Sequence, residues 1–298
     1  MKIAVTGANS SVGQNLLKHC ASAGDIDVVA GVRSERAFSS LPTSASITTR
    51  IISYTDPKDL AKALQGVNCV VHLAGILIES KQTNYNTANV KATEAVVQAA
   101  IKAGIEHLVF VSVVGADANS GNAYFRSKGS AEKLVAESGI SATIIRTPIL
   151  LGPGTAAANS LLALSNRSKV KVLAGGYYIL RPLDIDDLNT AILKVCRGRS
   201  EGVSVHELVG PEAITYRDLV IKAADMQNNS VELSSVPVAL AKVGAMLTST
   251  FRGGGITPTV IDVITMNEYV ESNADKALSI KLTPLLNTLE KIIDNKKT

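Results

Sequence analysis

Tyr124-Phe125-Arg126-Ser127-Lys128 sets a phenol and an ammonium four residues apart. On a helix that spacing puts both on one face, where the cation favours the ionised phenol. A phenol drawn down from its usual pKa of about 10 donates and accepts protons near neutral pH. Taken alone, such a pair is more often an exposed helix couple held by weak surface attraction. Its meaning depends on its surroundings.

A second chemical signal lies in Lys2 to Leu17, which runs from an apolar strand through a turn of small residues into a helix with Val12, Leu16 and Leu17 on one face. The first helical N–H groups have no intrahelical partner and carry the positive end of the helix dipole, so the junction suits an anion. Gly7 allows the tight turn, Gly13 lets the helix pack close to the strand, and Ser10 and Ser11 offer hydroxyls to a pyrophosphate. An ordinary buried strand-to-helix turn has the same composition, so the loop does not decide the matter alone.

The second strand, Ile26 to Arg33, ends in a cation. In a dinucleotide fold that tip lies beside the adenosine ribose, where an acid accepts from a free 2′-hydroxyl and an arginine pairs with a 2′-phosphate. Arg33 therefore points to NADP(H) over NAD(H), against the alternative of a solvated loop arginine. His72, in Cys69-Val70-Val71-His72-Leu73-Ala74-Gly75, has apolar neighbours and no adjacent acid. It reads as an internal, satisfied histidine.

These residues sit in a regular series of elements. Strands at Ser46 to Ile52, Cys69 to Gly75, Leu108 to Val113 and Ala142 to Arg146 alternate with helices opening at Asp56-Pro57, at Asn84 to Ala103 and at Asn122 to Ser138. With right-handed crossovers this gives an α/β fold, a doubly wound parallel sheet with its ligand at the carboxyl ends of the strands. The alternation weakens after Pro148. The division expected is a Rossmann-type cofactor domain at 1–150 and a smaller, mixed substrate- or partner-binding part at 151–298, interleaved with the first. The second part holds a helix at Ala156 to Ser165, strands near Val170 to Leu173 and Ser204 to Val209, and helices at Tyr216 to Met226 and Thr283 to Ile293. Asp186 or Asp187 is expected to cap a further helix running to Cys196.

Composition agrees. Of 298 residues 46% are hydrophobic but only 4% aromatic, with no Trp, which suits aliphatic helices packed on a buried parallel sheet. The formal charge of +4 comes from scattered bases among acids, so nucleic acid is not an expected partner. Cys20, Cys69 and Cys196 have neither metal-site nor disulfide-framework spacing and read as buried thiols, and no metal is expected. The chain starts directly on a core strand and has no apolar run long enough to span a bilayer, so a cytoplasmic location is expected. The segment 236–251, whose only charge is Lys242, is expected to be a core helix in preference to a membrane or partner contact.

Together, Thr6-Gly7 with Gly13, Val71 to Gly75, Asn89, the Tyr124 and Lys128 pair, and Arg146-Thr147-Pro148 before Gly152-Pro153-Gly154 resemble the extended and atypical short-chain dehydrogenase/reductase superfamily. The resemblance covers nearly the whole chain. Arg33 and the last third look most like the branch with nitrogen-metabolite-repressor-like proteins and a nucleotide-binding accessory subunit of respiratory complex I. It implies cofactor contacts from Gly7, Asn9, Ser10, Ser11, Val12, Gly13, Arg33, Leu73, Ala74, Gly75, Lys128 and Pro148, with Tyr124, Lys128 and Ser112 as the catalytic set. It also implies a small-molecule substrate under the C-terminal part and a structural role for Asp186-Asp187-Leu188.

Three positions depart from the family's pattern. Ser10 replaces the middle glycine of the phosphate loop, and Ser53 replaces an acid after the third strand. The carbonyl-orienting Ser or Thr aligns with Val113, leaving Ser112 one residue early, on the other side of a regular strand. Either Ser112 serves after a local bend, or the normal carbonyl site is missing. The expected function is an NADP(H)-dependent oxidoreductase acting on a small carbonyl or quinone-type compound. The alternatives are a non-catalytic NADP(H)-binding sensor or accessory subunit and a nucleotide-sugar epimerase or dehydratase.

Overall fold

Seven parallel strands form the centre of the molecule, and the computed structural model describes residues 1–252 and 255–295. In chain order the first part comprises β1 (Lys2–Thr6), α1 (Ser11–Ala23), β2 (Asp27–Val32), β3 (Ile47–Ile51), α2 (Pro57–Ala63), β4 (Cys69–His72), α3 (Ala92–Ala103), β5 (His107–Val113), α4 (Ala123–Ala136) and β6 (Ser141–Thr147). There follow β7 (Leu150–Leu151), α5 (Ala156–Ser165), β8 (Lys169–Leu173), β9 (Ile179–Leu180), β10 (Leu183–Asp184), α6 (Ile185–Gly198) and β11 (Val203–Glu207). The chain ends with β12 (Ile214–Thr215), α7 (Tyr216–Asp225), β13 (Glu232–Val236), α8 (Val238–Arg252), α9 (Pro258–Ile264) and α10 (Leu285–Asn295).

The main sheet has the order β11-β6-β5-β4-β1-β2-β3, and every pairing in it is parallel. The winding reverses between β1 and β4, which opens a crevice at their carboxyl ends. Ile3, Val5, Val71 and Val109 on one face pack under Leu16, Leu17, Leu188 and Ile192 of α1 and α6. Val70, Leu108 and Phe110 on the other pack under α2, α3 and α4. Each such side chain contributes roughly 1.5–3 kcal/mol on burial, which fixes the strand register and so the height of the loops above. A third apolar cluster joins α5, α7 and α10. The fold is the doubly wound α/β arrangement expected, with β11 from the last third completing the main sheet.

Three details differ from expectation. The helix expected over Asn84 to Ala103 is interrupted by a π-helical turn at Asn86–Lys91 before α3. The Asn89 side chain, which takes bonds outside the helix, accompanies this widened turn. The cap of α6 is Asp184 rather than Asp186 or Asp187: its carboxylate accepts from Asp186 N at 2.9 Å. All three acids suit a cap, but pairing in β10 holds Asp184 in the extended conformation that a cap requires. Asp187 accepts instead from the Thr283 amide and hydroxyl at 2.7 and 2.8 Å, which anchors the segment leading to α10.

The third correction concerns 236–251. It forms α8, but as a surface helix and not a core one: Leu240, Val243, Met246 and Leu247 are 57–64% exposed and Ala245 is buried. Among the described residues none of α8 belongs to the three apolar clusters. The side chains of Phe251 and Arg252 lie outside the described residues. Among the described residues no helix is long and apolar enough to cross a membrane.

Candidate functional site

The phosphate-loop sequence is built as its composition requires. Gly7 has φ of +76°, and a Cβ placed there would stand 2.8 Å from the Ala74 amide nitrogen, so only glycine lets the ends of β1 and β4 approach this closely. A Cβ on Gly13 would stand 2.6 Å from the carbonyl oxygens of both Gly7 and Ala8. Ser10 caps α1, its Oγ accepting from Gly13 N at 3.0 Å. Its φ of −67° is open to any residue, which explains how serine replaces the family's middle glycine.

Above this loop, at the carboxyl ends of β1 to β4, lies a cleft of about 530 Å³. It is lined by Gly7, Asn9, Ser10, Arg33, Leu73, Ala74 and Gly75 from the expected set. Ser11, Val12 and Gly13 form the first turn of α1 beneath it. Arg33 is exposed just past the end of β2 and has no ion pair among the described residues. Sequence reasoning missed two parts of the lining, Tyr54-Thr55 after β3 and Ile76, Gln82, Thr83, Thr87 and Ala88 after β4. Their signal was positional: in this topology any loop following these strands borders the crevice.

Asn89 ties that rim together. It accepts from Ile76 N at 2.8 Å, donates to Ile76 O at 3.2 Å, and donates to Ser127 Oγ on α4 at 2.9 Å. The loop after β4 is thereby fastened to the helix bearing Tyr124 and Lys128. Asn122 starts that helix, accepting from the amides of Tyr124 and Phe125 at 3.0 and 3.3 Å. One turn past Lys128, Glu132 is nearly buried and takes Arg146 Nε and Nη2 at 3.1 and 2.7 Å, locking α4 to β6.

Lys128 is 7% exposed; its Nζ donates to Val111 O at 2.9 Å and lies 4.3 Å from the centre of the Phe110 ring. Burial pulls its pKa down from 10.5 to about 8. Tyr124 is half-buried against Tyr85, ring centres 5.7 Å apart, and burial pushes its phenol above the ordinary value, with Tyr85 adding to the effect. The expectation that Lys128 draws the phenol pKa down is thus corrected. The ammonium reaches toward β5, and desolvation of the phenolate dominates.

Ser112 is 4% exposed, and its Oγ has no hydrogen-bond partner among the described residues. Pairing of β5 with β6 continues through Ser112 and Val113, so the strand has not bent at Ser112. Alternation sets Ser112 on the face of Phe110, and Val113 on that of Val111. Pro148 is buried immediately after β6. Lys128, Tyr124, Ser112 and Pro148 do not line the 530 Å³ cleft. His72 is fully buried and hydrogen-bonded through both ring nitrogens, to Thr6 at 2.6 Å and Thr93 at 3.0 Å, and burial brings its pKa to about 3. It is the satisfied internal histidine expected.

A family model described as NAD(P)H-binding matches residues 7–169. A ceramide reductase of Caulobacter vibrioides is 23% identical over 237 residues, covering 79% of this chain and 73% of its own length. The mitochondrial NADH dehydrogenase (ubiquinone) 1 alpha subcomplex subunit 9 of Arabidopsis thaliana is 25% identical over 248 residues, 81% of this chain and 61% of that relative, so less than two thirds of it is spanned. Among solved structures, UDP-glucuronic acid 4-epimerase from Bacillus cereus, in complex with UDP-glucuronic acid and NAD, aligns with a TM-score of 0.77 over 100% of this chain and 99% of the other. Its sequence identity is 19%, and the likeness concerns the fold.

Proposed function

The chain belongs to the NAD(P)H-binding family, with relatives in the atypical and extended short-chain dehydrogenase/reductase superfamily, and on that premise we propose that it is an NADP(H)-dependent reductase of a small apolar carbonyl or quinone-type compound. The observation that carries the cofactor is the cleft at the strand ends, with Arg33 at its rim and no acid paired to it among the described residues. The residues fit a dinucleotide, because the glycine turn that begins at Gly7 leads into the first turn of α1 at the edge of that cleft, where unpaired amides and the helix dipole suit an anion.

In this reading Gly7, Asn9, Ser10, Ser11, Val12 and Gly13 receive the pyrophosphate, Arg33 the 2′-phosphate, Leu73, Ala74 and Gly75 the adjoining ribose, and Lys128 with Pro148 the far end. The cofactor supplies the hydride when bound. Tyr124 gives the proton to the substrate oxygen, and Lys128 orients the ribose and holds positive charge near that phenol. The apolar neighbourhood of α4, where Tyr85 abuts Tyr124 and Met266 packs near Phe125 and Gly115, favours an uncharged substrate. The reductase among the relatives supports the reaction class.

A second reading is a non-catalytic NADP(H)-binding sensor or accessory subunit. Burial raises the Tyr124 phenol pKa, and neither Tyr124 nor Ser112 lines the 530 Å³ cleft, which favours it. The test of the cofactor assignment is calorimetric titration with NADPH and NADH. Arg33→Ala is expected to weaken NADPH about tenfold, the worth of one exposed charge-assisted contact, and to leave NADH unchanged. Equal losses for both would refute the role of Arg33.

A further inference from the structure

The helix α8 turns its aliphatic residues to solvent and its charge to the protein. On its described turns Leu240, Val243, Met246 and Leu247 are 57–64% exposed, Ala239 and Gly244 are exposed beside them, and Ala245 is buried. Lys242 points the other way, toward α9, where its Nζ meets Asp262 Oδ1 at 2.5 Å. A helix that only covers a core shows the reverse arrangement. Each of the four large side chains leaves on the order of 100 Å² open, about 400 Å² together, which is the size of patch that marks a contact surface on a single chain.

The shape of this face is specific. Leu240, Val243, Gly244 and Leu247 stand at i, i+3, i+4 and i+7, the four corners of one helical contact face. Its centre falls between Val243, which projects, and Gly244, which leaves a hollow. Glycine is a poor helix former, and the packing of this chain does not require it: a Cβ built on Gly244 meets nothing within 4 Å among the described residues outside the backbone of its own helix. A twofold rotation about the centre of the face sets Val243 of each copy into the hollow at Gly244 of the other, and Leu240 of each against Leu247 of the other. The face is complementary to itself.

We infer that α8 is the surface through which two copies of this chain associate, about a twofold axis passing between Val243 and Gly244. Charge and area select a second copy over a bilayer. Among the described side chains of this face no cation is directed outward to meet anionic lipid, and Lys242 is held by Asp262. The same ion pair lets a second copy approach without burying an unmatched charge. About 400 Å² of apolar surface, at the roughly 65% apolar share of homodimer contacts, corresponds to about 600 Å² per copy, against ~800 Å² for a standard interface, so the association is weak, in the micromolar range. Because no described residue of α8 belongs to the three apolar clusters, the contact adds nothing to the core of either copy, and unfolding in dilute solution reads the single chain. The inference is independent of what the cleft binds.

Sedimentation equilibrium of the full chain from about 1 to 500 µM tests it. Wild type is expected to pass from monomer to dimer with a midpoint in the micromolar range. Val243→Glu sets two carboxylates beside the axis and should weaken association at least about tenfold, while Gly244→Val, which fills the hollow, and Val243→Ala, which removes the projection, should each weaken it about five- to tenfold. The exchange variant, Val243→Gly with Gly244→Val, should recover most of the wild-type association, because a twofold axis treats the two positions alike and an unrelated partner or a bilayer does not. Melting curves by circular dichroism check that the variants fold, and Leu240→Ser reads the same contact should the exchange variant melt far below wild type. Wild type that stays monomeric throughout, association untouched by Val243→Glu, or a folded exchange variant as weak as Gly244→Val would each overturn the inference. Monomeric wild type that floats with vesicles of phosphatidylcholine and phosphatidylglycerol would overturn it in favour of a bilayer contact.

Discussion

Replacing Lys128 with Met is expected to make the protein more stable and less able to hold its cofactor. The ammonium is 7% exposed, and its pKa falls from 10.5 to about 8 because burial penalises the charge. At about 1.4 kcal/mol for each tenfold change in proton affinity, the charged form costs the fold ~3 kcal/mol at pH 7. Met matches the length and helix propensity of Lys but gives up the bond to Val111 O and the contact with the Phe110 ring, together worth roughly 1–2 kcal/mol. The net expectation is a gain of ~1–2 kcal/mol in urea unfolding at pH 7. The pH dependence fixes the cause: a lysine whose folded pKa lies below its unfolded value destabilises most below pH 8, and the penalty fades as pH rises from 8 to 10.5. The advantage of Lys128→Met over wild type should therefore shrink across that window, independently of other groups common to both proteins. A variant no more stable than wild type, or a stability difference constant from pH 7 to 10.5, refutes the assignment of Lys128 as a costly buried charge.

Three further outcomes follow from the site and the surface. Tyr124→Phe should abolish turnover of an NADPH-dependent carbonyl or quinone substrate while NADPH affinity in calorimetry changes less than about twofold, the phenol being assigned to the substrate and not the cofactor; undiminished turnover would remove Tyr124 from the mechanism. Gly7→Ala combines a φ of +76° with a Cβ 2.8 Å from Ala74 N, so thermal unfolding should show a loss of about 3 kcal/mol together with loss of NADPH binding, and a wild-type melting curve would contradict the close approach of β1 and β4. On α8, Leu240→Glu and Val243→Glu should each change stability by less than about 0.5 kcal/mol in chemical denaturation, because both positions are more than half exposed, whereas a core helix would lose several.

The geometry of the loop between β1 and α1 was legible in the sequence because its requirements are local. A strand, a glycine at a left-handed turn, a serine cap and a close-packed helix occupy twelve consecutive positions from Lys2, and Arg33 closes the next strand. The sheet was equally plain, since buried strand segments such as Val70-Val71 and Leu108 to Phe110 are uninterrupted apolar runs. What sequence did not disclose depends on contacts between distant segments. Asp184, Asp186 and Asp187 are equivalent as caps until α10 presents Thr288 and Lys291 to the first and the chain before it presents Thr283 to the third. The aliphatic residues of α8 resemble a core helix in sequence, and only the packing of distant elements shows that the apolar clusters are built from other segments. The Tyr124 and Lys128 spacing gave the shared face, but where a long side chain reaches is decided by the neighbouring strand, whose Val111 O accepts from Lys128 Nζ at 2.9 Å.

The treatment of three bases, two of them buried and Arg146 partly so, separates what the fold needs from what a ligand needs. Arg146 keeps its charge because both oxygens of Glu132 and one of Glu207 satisfy it. His72 gives its charge up, held neutral by a hydroxyl on each ring nitrogen. Lys128 has neither solution. Glu132, four residues further along the same helix, is already committed to Arg146, and a carbonyl and an aromatic face are partial compensation for an ammonium removed from water. A sequence under stability alone gains by replacing such a residue with Leu or Met at a helix position packed against β5. A buried cation held in this state costs the apoprotein stability and becomes favourable when hydroxyls and negative charge enter beside it, which supports the proposed place of Lys128 at the end of the site where cofactor and substrate meet.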